Sequence, residues 1–197
     1  MLSKSERTKQ FIIEKTAPVF NTKGYAGTSM NDLTNATGLT KGSIYGNFGN
    51  KDDVALAAFD YNFQRVAVYI KTKMDARTSV IEKLLVYPET YRNFLKLPFL
   101  RSGCPIANTA TEADDTHPQL KEKATKALQY WRSSVERQLK RGMETGELKT
   151  DTNVNEVVAV LTALIQGGVL HAQVSGKLNY MNTAMNFLER MIKDLEN

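Results

Sequence analysis

Apolar residues return every three or four positions along almost the whole chain and nowhere alternate in the two-residue rhythm of a strand, so the sequence reads as all-helical. Ser3-Lys4-Ser5-Glu6 has the form of a capping box, and Ile12, Ile13, Val19 and Phe20 follow at helical spacing. Gly24 is placed to end this helix in a left-handed turn. Pro18 lies inside it and should bend or tighten the last turn, because it removes a bond to the Glu14 carbonyl. Thr28 or Ser29 caps a second helix reaching about residue 37, Gly38 breaks it, and Thr40 caps a third over about residues 41–48. Two short helices joined by a tight glycine-containing turn form a helix-turn-helix candidate. Asn50-Lys51-Asp52-Asp53 then opens a long helix, with carboxylates where the macrodipole favours them.

The remainder keeps the same period. Val54, Ala57, Ala58, Tyr61, Val66 and Ile70 continue one apolar face, and Val80, Leu84, Tyr87, Tyr91, Phe94 and Leu95 make another before Pro98. Leu120, Ala124, Ala127, Leu128, Trp131, Val135 and Leu139 form a third. The last two helices, about residues 154–174 and 179–195, are the most apolar. Val157, Leu161 and Leu164 on the first, with Met181, Met185, Leu188 and Ile192 on the second, are expected to cap the core or to pair with a second copy as a four-helix bundle.

At 197 residues, 42% hydrophobic and 24% charged, the chain has an ordinary globular composition and is long enough to bury a core. Charge changes the picture once it is mapped. Lys4, Arg7, Lys9, Lys15, Lys23, Lys41 and Lys51 against Glu6, Glu14 and Asp32 leave residues 1–51 at +4, so the net +5 leaves only +1 for the other 146 residues. A basic end on a nearly neutral body is the footprint of a nucleic-acid-binding module joined to something else. The expected division is residues 1–51 and 52–197. MLSKSERTKQ lacks the apolar core of a signal peptide, no apolar run approaches the roughly 18 residues of a membrane span, and the one cysteine permits no internal disulfide. The cytoplasm is therefore the expected compartment, with no membrane partner. No cofactor or structural metal is expected.

The stretch GLTKGSIYGNFGNK, residues 38–51, carries the chemistry. The second helix of a helix-turn-helix enters the major groove, so its outer face must be small or polar enough to admit phosphates and base edges. Lys41, Gly42 and Ser43 occupy its first turn, while Leu39, Ile44 and Phe48 can point inward with Leu33 and Ala36. Tyr45 can donate its hydroxyl to a phosphate, and Lys51 can neutralise another.

The longer run TSMNDLTNATGLTKGSIYGNFGNKDDV closely resembles the DNA-binding segment of the TetR family of bacterial transcription regulators. The likeness extends back through FNTKGY and covers about residues 5–60, with Gly38, Gly42, Tyr45, Phe48 and Lys51 at the family's spacing. The resemblance implies an all-helical homodimer of nine or ten helices, with a DNA-binding head, a ligand-binding core and two long dimerising helices. It implies phosphate contacts from Thr28, Ser29 and Asn31. It places Thr40, Lys41, Gly42 and Ser43 against DNA, with Tyr45 and Lys51 anchoring the backbone. Family members often have histidine where Asn47 stands; asparagine can still reach a phosphate. A two-fold dimer would present recognition helices about 34 to 36 Å apart, so the double-stranded operator should be palindromic.

The family's usual switch is a small-molecule inducer that fills the core and shifts the helix over residues 52–75. Phe63, Tyr87, Tyr91, Phe94, Phe99, Trp131 and His171 are candidate lining residues, although any bundle needs aromatics at such spacing. Gly167-Gly168 marks either a close helix crossing or space for a ligand. Cys104 precedes Pro105, a favoured first helical residue, so it falls at an N-cap where the macrodipole can lower a thiol's pKa. It is thus either an electrophile or oxidant sensor or an inert capping thiol, and the Gly-Cys pair resembles a subset of the family, some of whose members sense reactive species by cysteine. Glu112, Asp114, Asp115 and His117 cluster beside Pro118. They either serve a helical-bundle enzyme with a docking head, or Asp114, Asp115 and Thr116 supply the turn and the N-terminal charge for the helix opened by Pro118. The favoured function is a ligand-responsive, dimeric regulator, in the role of repressor and not an enzyme.

Overall fold

The computed structural model describes residues 3–197, and among them the fold is all α. In chain order the helices are α1 (Lys4–Lys23), α2 (Met30–Thr37), α3 (Lys41–Asn47), α4 (Lys51–Asp75), α5 (Val80–Arg92), α6 (Pro105–Ala113), α7 (Pro118–Glu144), α8 (Val154–Ser175) and α9 (Asn179–Lys193). A short 3-10 helix at Phe94–Lys96 follows α5, and Leu148 and Glu196 form an isolated antiparallel bridge.

Two compact units divide the chain, Met1–Val66 with Pro105–Ala127, and Ala67–Cys104 with Leu128–Asn197. The first is therefore wider than residues 1–51 and takes in α6 and the start of α7. Its core gathers Ile12, Ala17, Phe20, Leu33, Ile44, Phe48, Val54, Ala55 and Ala58, one or more from each of α1 to α4. Asn62 closes the layer by donating Nδ2 to the Ala17 carbonyl at 2.8 Å.

The second unit packs α5, α8 and α9 on one another. Val157, Leu161, Met181, Met185, Leu188 and Ile192 are buried here within the chain itself, so as side chains they are not available to a second copy; Leu164 alone of the expected set is half-buried. Two opposite stripes stay open instead. Ala163, Gly167, Leu170 and Val174 run along α8 at spacings of four, three and four, and Tyr180, Ala184, Phe187 and Met191 run along α9 at the same spacings. Leu170 is 60% exposed, Val174 82%, Tyr180 53% and Phe187 49%. The two adjacent glycines also divide. A Cβ at Gly168 would stand 2.9 Å from Met181 Sδ, which marks a close α8–α9 approach, whereas a Cβ at Gly167 would meet nothing on the open side.

By length and composition α8 is apolar enough to cross a membrane, with a mean hydropathy of 1.7 over an 18-residue stretch, a test that the core helix of a helical bundle passes equally. Its inner face packs against α9 and α5.

Candidate nucleic-acid interface

Local capping builds the head. Glu6 N–H donates to Ser3 Oγ at 3.2 Å while Ser3 N–H donates to Glu6 Oε2 at 2.6 Å, completing the expected box at the start of α1. Ser29 and Asp32 repeat the device on α2, with Asp32 N–H on Ser29 Oγ at 3.2 Å and Ser29 N–H on Asp32 Oδ2 at 2.8 Å. Lys23 binds the same carboxylate at 2.5 Å; this contact, then the Ser29 bonds, hold the Asp32 carboxyl well below the usual carboxylate range. Gly38 takes the left-handed conformation (φ 69, ψ 8) and ends α2 on the Thr34 carbonyl. Thr40 accepts the Ser43 N–H at 3.2 Å and starts α3.

Only Ile44 of α3 is buried, with Phe48 just beyond its end. That leaves Lys41, Gly42 and Gly46 exposed and Ser43, Tyr45 and Asn47 half-buried. No internal packing requires either glycine. A Cβ at Gly46 would meet nothing within 4 Å, and one at Gly42 would reach only Thr40 Oγ1 at 4.0 Å. What the glycines keep bare is the outer surface. Lys41 Nζ lies 5.8 Å from the Tyr45 ring, and Lys51 Nζ lies 4.2 Å from the ring of Tyr25.

Ser29 and Asn31 are exposed at the start of α2, as expected of phosphate contacts. Thr28 is not: its side chain is fully buried and its hydroxyl donates to the Gly24 carbonyl at 2.6 Å, which serves the turn. Asn47 donates Nδ2 to the Ser43 carbonyl of its own helix at 2.9 Å. Gly24 has the expected positive φ of 71, but its ψ of 179 is extended instead of left-handed helical.

The FNTKGY segment also contains a residue that helical periodicity passes over. The Tyr25 hydroxyl donates to Asp52, and this bond, followed by burial, pushes its pKa up to about 12. The His117 ring meets the Tyr25 ring edge-on at 4.6 Å, and His117 Nε2 lies 3.9 Å from Asp52 Oδ1. Residues 114–116 form the expected turn, and His117 Nδ1 accepts the Leu120 N–H at 3.3 Å, so this buried histidine caps α7.

The acidic cluster is otherwise spent on structure. Glu112 accepts the Tyr25 and Ala26 amides, Asp114 pairs with Lys121 at 2.8 Å, and Thr116 donates to the Glu112 carbonyl. Among the described residues no three His, Cys, Asp or Glu side chains converge as metal ligands.

In the second unit, Trp131 lies with its ring 6.1 Å from Tyr87 and 5.9 Å from Tyr91, and all three are buried, as is Phe94. Burial first, then Cys104 beside it, pushes the Tyr91 phenol well above its ordinary pKa. Cys104 is buried and accepts Gln166 Nε2 at 3.3 Å. Phe63 belongs to the other unit, stacked on Phe59, and Phe99 packs on Tyr69. His171 is not in the core; it is exposed and stacks on Tyr180 at 4.9 Å.

A capped helix-turn-helix with a bare recognition face, carried on a helical body, defines a DNA-binding transcriptional regulator. Residues 12–58 match the model described as bacterial regulatory proteins of the tetR family, and residues 80–188 match the tetracyclin repressor-like C-terminal domain. The chain belongs to the TetR family. It is 45% identical to a TetR-family regulator from Cytophaga hutchinsonii, with a TM-score of 0.95 over 100% of this chain and 98% of that one. A TetR regulator from Chloroflexus aurantiacus J-10-FL is 30% identical, with a TM-score of 0.93 over 99% and 98%. The HTH-type transcriptional repressor DhaR of Mycobacterium sp. (strain GP1) is 25% identical over 169 residues, 84% of this chain and 82% of that repressor.

Proposed function

We propose that this chain is a cytoplasmic, dimeric repressor that reads a palindromic operator and is released from it by a small molecule taken up in its body. Residues 1–51 are the reader and residues 52–197 serve ligand binding and dimerisation. The observation that carries the proposal is the outer face of α3. Lys41, Gly42, Ser43 and Gly46 leave a helix surface that nothing inside the chain requires to be bare, with Tyr45 and Lys51 at its edge. Glycines kept where the interior does not need them favour a close external surface, and lysines beside them favour an anionic one. Ser29, Asn31 and Thr40 extend the same face, and Asn47 reaches it only by giving up its bond to Ser43.

The α8 and α9 stripes favour a second copy as partner, since a self-complementary apolar patch is what a two-fold interface needs. The buried aromatics Tyr87, Tyr91, Phe94 and Trp131 offer the surroundings for a largely apolar inducer. An inducer acts only through its differential affinity for the operator-bound and released states.

Selection of duplexes from a randomised library, followed by a salt titration of the winner, tests the function. One enriched palindrome with a steep salt slope is the expected result. Weak binding to every sequence alike would overturn it.

A further inference from the structure

The turn joining α1 to α2 is held from outside the three reading helices. Glu112, near the end of α6, accepts the Tyr25 N–H on Oε2 at 2.7 Å and the Ala26 N–H on Oε1 at 2.7 Å. Successive amides converge on one carboxylate because Gly24 precedes them at φ 71, ψ 179, a backbone region essentially closed to other residues. A Cβ there would also stand 2.4 Å from Glu112 Oε2. One turn earlier on α6, Asn108 Nδ2 donates to the Asn21 carbonyl at 3.0 Å.

Tyr25 carries this restraint onward. Its backbone is bound by α6, while its hydroxyl donates to Asp52 and its ring underlies the Lys51 ammonium, both in the first turn of α4 directly after α3. Its neighbours Lys23 and Ser29 bind Asp32 of α2. The segment from residue 23 to 29 thus joins α6, α2 and the start of α4.

We propose that Glu112 is a positioning residue for operator binding: its carboxylate holds the α1–α2 turn, and α6 thereby sets the placement of α2 relative to the Lys51 anchor. The role rests on the operator reading described above and deepens it. Withdrawal of α6 would leave two amides without their acceptor and loosen the head with no DNA contact touched.

The sign of the effect separates this role from a bystander's. Glu112→Gln removes one negative charge from a protein that binds phosphates, which by electrostatics alone leaves operator affinity unchanged or raises it. It also puts an N–H donor where one of the two amides needs an acceptor. The positioning role predicts operator affinity lower by about tenfold or more, with the salt slope unchanged. Amide hydrogen exchange at Tyr25 and Ala26 should quicken by at least about tenfold, with α8 and α9 unaltered. Glu112→Asp keeps the charge but retracts the carboxylate by one methylene, and should weaken binding too; it decides the matter if the glutamine variant does not fold. Wild-type or tighter operator affinity in the variants would overturn the role. If the unmodified chain selects no duplex, the operator function itself fails; if it binds and both variants bind equally well, only the role of Glu112 fails.

Discussion

Replacing Leu170 and Val174 together by lysine should split the proposed dimer while leaving the protomer folded. Both lie on the open stripe of α8, 60% and 82% exposed, so the isolated chain gains little from them. Lysine suits the last turns of a helix, where its charge opposes the negative end of the macrodipole. In a two-fold bundle each residue is buried twice. Full burial of such side chains contributes about 1.5 to 3 kcal/mol, so covering their remaining exposed surface contributes roughly 1 to 2 kcal/mol each. Four lost positions per dimer therefore remove at least about 4 kcal/mol, before the cost of desolvating four ammonium groups, and every 1.4 kcal/mol is tenfold. The dimer dissociation constant should rise by about three decades or more, read by sedimentation equilibrium across nanomolar to micromolar protein. Leu161→Ala is the contrasting variant. Leu161 is fully buried inside the chain, so its truncation should cost about 2 to 5 kcal/mol of folding and lower the melting temperature without splitting the dimer selectively. A double lysine variant that still sediments as a dimer at nanomolar concentration would refute the assignment of the α8 and α9 stripes.

Four further outcomes are expected. Gly42→Leu should keep or slightly raise thermal stability, by up to about 1 kcal/mol from helix propensity, yet abolish operator binding, because the chain leaves the space open; unaltered binding in a gel shift would contradict it. Lys41→Ala and Lys51→Ala should each flatten the log–log salt dependence of operator binding by about 1.8 for a dimer, a slope measured by titration from low to moderate salt. Ile44→Ala, at a fully buried position of the head, should cost about 2 to 5 kcal/mol and lower the circular-dichroism melting temperature along with DNA affinity. Asp32 titrates lower in the folded head than unfolded, so its stabilisation is present above about pH 4 and lost as acid protonates the folded carboxylate; Asp32→Asn should remove that acid limb from the stability–pH profile.

Much of the fold was legible because it is written in local chemistry. Ser3, Ser29 and Thr40 each cap the helix they precede, and Gly38 ends α2 as expected, since capping involves residues only three or four apart. Periodicity also found the apolar faces of α8 and α9. It did not say what covers them. Both helices carry two apolar stripes, and the richer one, with Leu161, Met185 and Leu188, goes to the chain's own core. The sparser stripe, at Leu170, Val174, Tyr180 and Phe187, is the one left over, and only the packing of α8 on α9 reveals it. His171 shows the same ambiguity, because a histidine one helical turn from core positions can as readily face outward.

The candidate site was legible on the outer face of α3 and opaque on the α8 and α9 stripes. Lys41, Gly42 and Ser43 stand out because an exposed helix with no apolar outer face needs an external reason. Thr28 fits the same spacing equally well, yet its hydroxyl turns inward to Gly24. Glu112 lies 87 residues from Tyr25 in sequence and sits among other carboxylates, so no local pattern separates a latch from a catalytic acid. The one local trace is Gly24: a helix end can be closed by many residues in a left-handed turn, but a positive φ with extended ψ demands glycine and turns two amides outward together. Those amides must find an acceptor if they are to be removed from water, and a carboxylate from α6 is a stronger one than solvent. The bare face of α3 and the glycine before Tyr25 therefore express one economy, in which glycine marks where the backbone is left open to close approach, by Glu112 in one case and, under the proposed operator reading, by phosphate in the other.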